Sequence, residues 1–235
     1  MITAIMQPYI FPYIGYWQLI NAVDTFVLLD DVNFIMRGWI NRNNILVGGK
    51  AHLFSLPLQK PSQNKLINET RLNFDDKARS NLLKTITLAY KKAPQFNEVY
   101  PIIEDIILNP EADLTKFLLN SFEKICAYVG IETKFLISSE IEKDNSLKAE
   151  ARIIEICKKV GTKRYINPPG GTELYHKKLF KKEDMELKFI KPHLDNIIYP
   201  QFGGDFIANL SFLDIIMFND IGKIKNFLNE YSLSD

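Results

Sequence analysis

Cysteine and histidine are scarce in this chain: two cysteines and three histidines among 235 residues. Cys126 and Cys157 are too few for a disulfide framework or a cysteine zinc site. Each sits in an apolar, helix-like run, so both are expected to be buried thiols rather than nucleophiles. His52, His176 and His193 are spread without ligand spacing, so no metal centre is expected. An excess of either charge is also missing. Twenty-nine basic residues face 28 acidic ones, which argues against a general nucleic-acid surface. The lysines at 177, 178, 181 and 182 are followed at once by Glu183 and Asp184 and read as a solvated face. No apolar run reaches the ~18 residues of a membrane span, and Pro8 and Pro12 interrupt the apolar N-terminus, which also lacks a basic leader. A cytoplasmic protein is the expectation. What is abundant is apolar residue, 46% of the chain, enough for a large core without metal or disulfide.

The pattern alternates strand and helix. Ile2 to Met6 reads as a buried strand, Gln7 to Tyr13 as a proline-bearing loop, Gly15 to Val23 as a helix and Thr25 to Leu29 as a second strand. Strand, loop, helix, strand is a βαβ unit and implies a parallel sheet. Asn43–Val47 and His52–Leu56 flank Gly48-Gly49 and predict a β-hairpin, with a third short strand at Glu69–Leu72. Residues 75–130 predict three helices, the first capped by Asp75 or Asp76, the second opening at Pro94, the last stopped by Gly130. The alternation then resumes with strands at Lys134–Ile137, Arg164–Ile166 and Glu186–Ile190, helices at Leu147–Val160 and Glu173–Lys181, and two more helices in Leu210–Tyr231. The prediction is a single α/β domain over 1–235 with an open, mostly parallel sheet. A hairpin insertion (43–72) and a helical insertion (75–130) separate its second and third strands.

Ligands of such sheets bind beyond the carboxyl ends of the strands, which singles out four loops. Tyr13-Ile14-Gly15-Tyr16 has the spacing of the His-x-Gly-His element of nucleotidylyltransferases, placed after the first strand at a helix start. Tyrosine donates a hydrogen bond but carries no positive charge near pH 7. The element therefore suggests a nucleotide-binding type of fold with altered chemistry, or a turn in which Gly15 permits close packing. Asp30 and Asp31 end the second strand, as candidates for a base or a sugar contact, or for ion pairs with Arg37 or Arg42. Arg37 and Arg42 around Trp39, with Asn41 between them, suit a phosphate and a sugar face. Ser138 and Ser139 end the third strand. Asn167, Gly170 and Gly171 form a turn whose amides could hold an anion. Beyond the last parallel strand lie Tyr199 and Gln201, with His193 the one plausible imidazole base. No Walker loop, Gly-x-Gly-x-x-Gly or Gly-x-Ser-x-Gly element occurs.

The run Met6-Gln7-Pro8-Tyr9-Ile10-Phe11-Pro12-Tyr13-Ile14-Gly15-Tyr16-Trp17 resembles the opening of the WbqC-like family. So do Val27-Leu28-Leu29-Asp30-Asp31-Val32-Asn33-Phe34, Gly38-Trp39-Ile40-Asn41-Arg42-Asn43, Tyr199-Pro200-Gln201-Phe202 and Leu210–Asn219. Many members have His-Gln-Pro-Asn-Tyr where this chain has Met6-Gln7-Pro8-Tyr9-Ile10, so no role of that histidine carries over. The resemblance implies a place in bacterial O-antigen or other surface-polysaccharide synthesis. For some members it implies transfer of a glycyl group to an amino sugar. On that reading Asp30, Asp31 or His193 would take the amine proton, and Arg37 and Arg42 would hold the diphosphate of a nucleotide sugar. Gln7 and the amides of Tyr13–Tyr16 would bind a phosphate or an oxyanion, and Tyr9 and Trp39 would stack on sugar or base. A nucleotidylyltransferase-like enzyme and a non-catalytic nucleotide-sugar binder are the rival expectations. No cofactor is indicated, and a second copy of the chain is an open partner.

Overall fold

The computed structural model describes residues 1–234. Strands β1 (Ile2–Met6), β2 (Thr25–Leu28), β5 (Lys134–Ile137), β6 (Arg164–Asn167), β7 (Glu186–Pro192) and β8 (Tyr231–Ser234) form one six-stranded sheet in the order β5-β2-β1-β6-β7-β8. All pairs are parallel except β7 with β8. The first five strands thus follow the doubly wound order in which the chain grows outward from β1 to one side and then to the other. The reversal lies between β1 and β6. Between β2 and β5 the chain makes the separate hairpin β3 (Arg42–Val47) and β4 (Lys50–Ser55), turning at Gly48-Gly49 with positive φ at both glycines. It then makes the helices α2 (Asp76–Tyr90), α3 (Phe96–Leu108) and α4 (Leu114–Val129).

The parallel strands are apolar on both faces, as burial on both sides requires. Ala4, Phe26, Leu28, Ile166 and Ile190 face a large core shared with α1 (Ile14–Asn21), the inserted helices, α7 (Phe212–Phe218) and α8 (Ile221–Leu228). Ile5, Val27, Tyr165, Leu187 and Phe189 face a smaller one covered by α5 (Ala149–Val160) and α6 (Lys177–Lys182). The period of two in these lists is the pleat itself. Asp75, Asp113 and Asp220 cap α2, α4 and α8 through the amides of Ala78, Lys116 and Lys223 at 2.8, 3.1 and 2.9 Å. Gly130 and Gly161 end α4 and α5 with φ of 77°, the left-handed cap a side chain would resist.

Three readings of the sequence are corrected. Glu69–Leu72 is no strand. The Glu69 carboxylate accepts from the Leu66 amide at 2.8 Å and closes a turn over Ile67–Glu69, leaving only single bridges from Leu72 to Leu58 and from Arg71 to Asp113. The helix expected from Glu173 begins at Lys177, because the amides of Leu174 and Tyr175 turn back onto Gly171. The tail holds β8 beyond its two helices, a four-residue edge strand, Tyr231-Ser232-Leu233-Ser234, whose alternation is too short to announce it.

Candidate ligand-binding site

A cleft of about 410 Å³ opens at the reversal point, lined by Met6 to Tyr9 beyond β1, Tyr13, Gly15, Tyr16, Ile35, Gly38 to Ile40, and Pro168 beyond β6. Its floor is preset by hydrogen bonds to backbone. Tyr16 is buried, and its hydroxyl donates to the Gln7 carbonyl at 2.9 Å. The Tyr9 hydroxyl accepts from the Tyr13 amide at 3.2 Å, and the Tyr9 and Tyr16 rings meet edge to face at 5.1 Å. Desolvation raises all three tyrosine hydroxyls above their usual range, so they stay neutral donors. The loop bends at Phe11, which holds φ of 43°, a conformation costing a bulky residue roughly 1–3 kcal/mol. Asn43 at the start of β3 holds it there. Its Nδ2 donates to the carbonyls of Ile10 and Phe11 at 3.0 and 2.7 Å. The hairpin is thus the clamp of the β1 loop.

The Tyr13 ring lies on Gly15, and a Cβ there would stand 2.6 Å from it. The helix-start glycine therefore packs against an aromatic ring. The Tyr13 amide is committed to Tyr9, and the Tyr16 amide to the Tyr13 carbonyl. The opposite wall is a tight turn in which the Gly38 amide donates to the Ile35 carbonyl at 3.0 Å, with Arg37 at φ of 60°. Trp39 stands half exposed at the mouth (52%). The Arg42 guanidinium lies over its ring at 5.6 Å and is steadied by an Nε–Gly38 carbonyl hydrogen bond of 2.7 Å. The Gln7 carboxamide lines the cleft with no hydrogen-bond partner among the described residues; the terminal nitrogens of Arg42, which sits on the Trp39 ring outside the lining, have none either.

The cleft thus assembles Gln7, Tyr9, Tyr13, Gly15, Tyr16 and Trp39, with Arg42 beside it against the Trp39 ring. The other candidates lie elsewhere. Arg37 points to solvent beside the cleft. Asn41 binds the Leu56 carbonyl and joins β3 to β4. Asn167 is engaged within the chain: its amide donates to the Tyr165 hydroxyl at 2.7 Å, and its oxygen fills the place of a Cβ at Gly171. The amide of Gly171 turns inward to Pro168, and Gly170 is exposed. Tyr199 and Gln201 are buried and donate to Asp214 Oδ2 at 2.7 and 2.5 Å, while Tyr90 donates to Oδ1 at 2.8 Å. Burial raises this carboxyl despite its three donors. His193 sits exposed beyond β7 with Nε2 on the Ser232 hydroxyl at 3.1 Å. The two cysteines are buried in separate cores, and desolvation pushes each thiol up to about 12.

Asp31 faces a second cleft, of about 460 Å³, beyond β2 and β5, lined by Asp31, Leu66, Asn68, Ser139, Asn145 and Arg152, while Asp30 is buried beneath it and lines neither cleft. Asp30 accepts from the Ser139 amide and hydroxyl at 2.9 and 2.7 Å, and burial raises its carboxyl. The ion pairs expected to Arg37 or Arg42 do not form. Asp31 instead pairs through Oδ2 with Lys143 at 2.7 Å and Arg152 at 2.6 Å, and accepts from the Ser138 hydroxyl at 2.8 Å. Burial opposes its ionisation, but these hydrogen bonds and cations outweigh it and hold the carboxyl below its usual range, which makes it a weak base. Among the described residues no three histidine, cysteine or acidic side chains are grouped to hold a metal, and no helix is long and apolar enough to cross a membrane.

Comparison with protein families matches residues 7–226 to the WbqC-like protein family. The chain belongs to that family. An uncharacterized protein of Mycobacterium tuberculosis is 27% identical over 220 residues, covering 91% of this chain and 92% of the relative. No solved structure matches. The family match takes in both clefts of this member, from Gln7 through Arg152 and Pro168. Sequence reasoning missed the clamp Asn43 and the wall residues Ile35 and Pro168. It also missed the cations Lys143 and Arg152, which lie far along the chain from Asp31. None of these had a local signal: Asn43 reaches the carbonyls of Ile10 and Phe11 from more than thirty residues away.

Proposed function

We propose that the protein binds an activated amino sugar in the cleft between β1 and β6 and transfers an acyl or aminoacyl group to it, as a step of bacterial surface-polysaccharide synthesis. The observation that carries this reading is the cleft's position and lining. It stands at the topological switch point of a doubly wound sheet, with an exposed indole, an arginine and a free carboxamide around a preset floor. Trp39 offers an apolar face to a sugar ring or base. Arg42, with two unengaged nitrogens, suits a phosphate. Gln7 supplies directional contacts to sugar hydroxyl or amide groups. Membership of the WbqC-like family supports the same direction.

No carboxylate or imidazole lines the cleft. The protein's contribution to transfer from an already activated donor is then orientation of the free amine, an effect large enough to carry much of the rate. On this reading Asp30, Asp31 and His193 do not act as the base: as the N–C bond forms and the bond to the donor's leaving group breaks, the amine proton goes to that departing group or to water in the open cleft. The nucleotidylyl alternative is weakened by the Tyr13 ring, which covers Gly15 where a triphosphate would approach the helix start.

Thermal unfolding with UDP- and dTDP-linked amino sugars, ATP and CTP tests the proposal. A ligand at about 100 times its dissociation constant adds roughly 2.7 kcal/mol of stability. A shift with an amino-sugar nucleotide that is lost in Arg42→Ala supports it and supplies the acceptor for an acyl-transfer assay. A shift with ATP or CTP alone, or binding of the sugar with no turnover under any acyl donor, overturns the transferase reading.

A further inference from the structure

The turn that walls the first cleft also faces outward. Ile35, Met36, Arg37 and Gly38 form a β-turn, closed by the Gly38 amide on the Ile35 carbonyl. Met36 and Arg37 hold its two corner positions. Ile35 is 52% exposed, Met36 44% and Trp39 52%. Elsewhere among the described residues exposed large apolar side chains are spread more thinly along the chain. Single exposed apolar residues are ordinary, whereas a cluster of them marks a contact surface.

The charge around this turn is of one sign. Between Asp31 and Glu69 the sequence has no acidic residue, but it has Arg37, Arg42, Lys50, Lys60 and Lys65. Residues 1–23, which supply the β1 wall of the cleft, carry no charged side chain. In a chain of 29 basic and 28 acidic residues this is a segregation of charge. Lys65 is brought to the turn by its backbone, since its carbonyl accepts from the Phe34 amide at 2.8 Å. Arg42 is brought there by its Nε bond to the Gly38 carbonyl. Among the described residues neither Arg37 nor Lys65 has an ion pair or a side-chain hydrogen bond. The carboxylates that bound the stretch are engaged elsewhere, Asp31 by Lys143 and Arg152 and Glu69 by the Leu66 amide.

We propose that this lip docks on an anionic lipid bilayer. Ile35 and Met36 enter the headgroup region, Trp39 lies at its level, and Arg37, Arg42 and Lys65 meet lipid phosphates. An apolar tip with a half-exposed indole, ringed by cations, suits such an interface. RNA would engage the cations but leave Ile35 and Met36 in water. A two-fold contact with a second copy would set the cations of one lip against those of the other. The docking goes beyond the transferase reading and does not depend on it. The first cleft then opens toward the headgroups, whatever it binds.

Co-sedimentation of the full chain with phosphatidylcholine vesicles, with and without about one-third phosphatidylglycerol, tests this. Binding is expected to be at least about tenfold tighter to the anionic vesicles and to weaken as salt rises. Arg37→Asn, which keeps a side chain tolerant of the left-handed φ, and Lys65→Gln should each weaken it about fivefold. Met36→Ser should weaken it about tenfold. Trp39 emission should move to the blue on vesicle addition, over a constant background from the buried Trp17. Met36, Arg37 and Lys65 do not line the cleft. A thermal shift with an amino-sugar nucleotide should therefore persist in all three variants, which separates failure of the docking from failure of the transferase reading. No vesicle binding, equal binding to neutral vesicles, or undiminished binding by folded Met36→Ser and Arg37→Asn overturns the proposal. Should the turn variants fail to fold, Lys65→Gln, outside the turn, decides. Without vesicle binding, a dimer lost in Met36→Ser or capture of a single-stranded RNA overturns it in favour of that partner.

Discussion

The two clefts lie on the same edge of one sheet and are built on opposite principles. The first is walled by rings and neutral hydroxyls whose hydrogen bonds end on backbone, so its shape is set without any charge pair. The second is organised around a single carboxylate oxygen shared by two cations. Deleting a ring at the mouth of the first costs a contact. Deleting the carboxylate of the second leaves two poorly hydrated cations with nothing between them. Aromatic walls allow a site to vary its ligand at little cost in folding. An ionic cluster ties its geometry to stability.

Asp31→Ala gives the sharpest test of this contrast. It is expected to cost about 3–5 kcal/mol in urea unfolding, because removing one partner strands a buried charge. The carboxyl lies below its usual range when folded. Its contribution is therefore present above the ordinary aspartate value of about 3.9 and lost as pH falls through the lower folded value. The variant should lack that acid-side loss. Asp214→Asn is next, at about 1–3 kcal/mol, since Nδ2 would meet a donor where Oδ had accepted one. Here the sign reverses. Burial raises the carboxyl, so the wild type gains stability from this group as pH falls through the raised value. The deficit of the variant should therefore widen on acidification. A deficit that narrows would refute the assignment. Gly15→Ala should cost about 1–3 kcal/mol by pushing Tyr13 off the helix start, and should lower ligand affinity in the first cleft. Trp39→Ala is expected to change stability by less than about 0.5 kcal/mol while weakening a sugar ligand roughly tenfold. A large stability loss there would show that the indole is core rather than platform.

The same contrast explains what was readable from sequence. The sheet, hairpin, helical insertion and the Asp75 and Gly130 caps were legible because apolar periodicity, Gly-Gly and Asp or Gly punctuation are local signals. The first cleft was largely legible too, since residues 7–16 and 37–42 are short contiguous runs at strand ends. The nature of its floor was not: whether Tyr13 faces a ligand or lies on Gly15 depends on a rotamer. The second cleft was legible only as a pair of aspartates. Its cations come from residues 143 and 152, and its carboxamides from 68 and 145, brought together by the β2–β5 pairing. Tyr199 and Gln201 looked like ligand groups because they are polar and aromatic beside a loop. Their partner Asp214 sits on a later helix that the same pattern marks as apolar.

The central strand has a consequence for the order of assembly. Thr3 pairs with Thr25 on one side and with Tyr165 on the other. The first pairing closes a short loop. The second must wait for the hairpin, four helices and another strand to be synthesised. On the ribosome, β1 keeps one edge bare until β6 emerges. Pro168, the wall beyond β6, follows it, so the switch-point cleft is completed only after the inserted elements have been made. A nascent chain stalled before residue 164 would carry every lining residue of the groove except Pro168, and would present β1 as an open template for a stray strand.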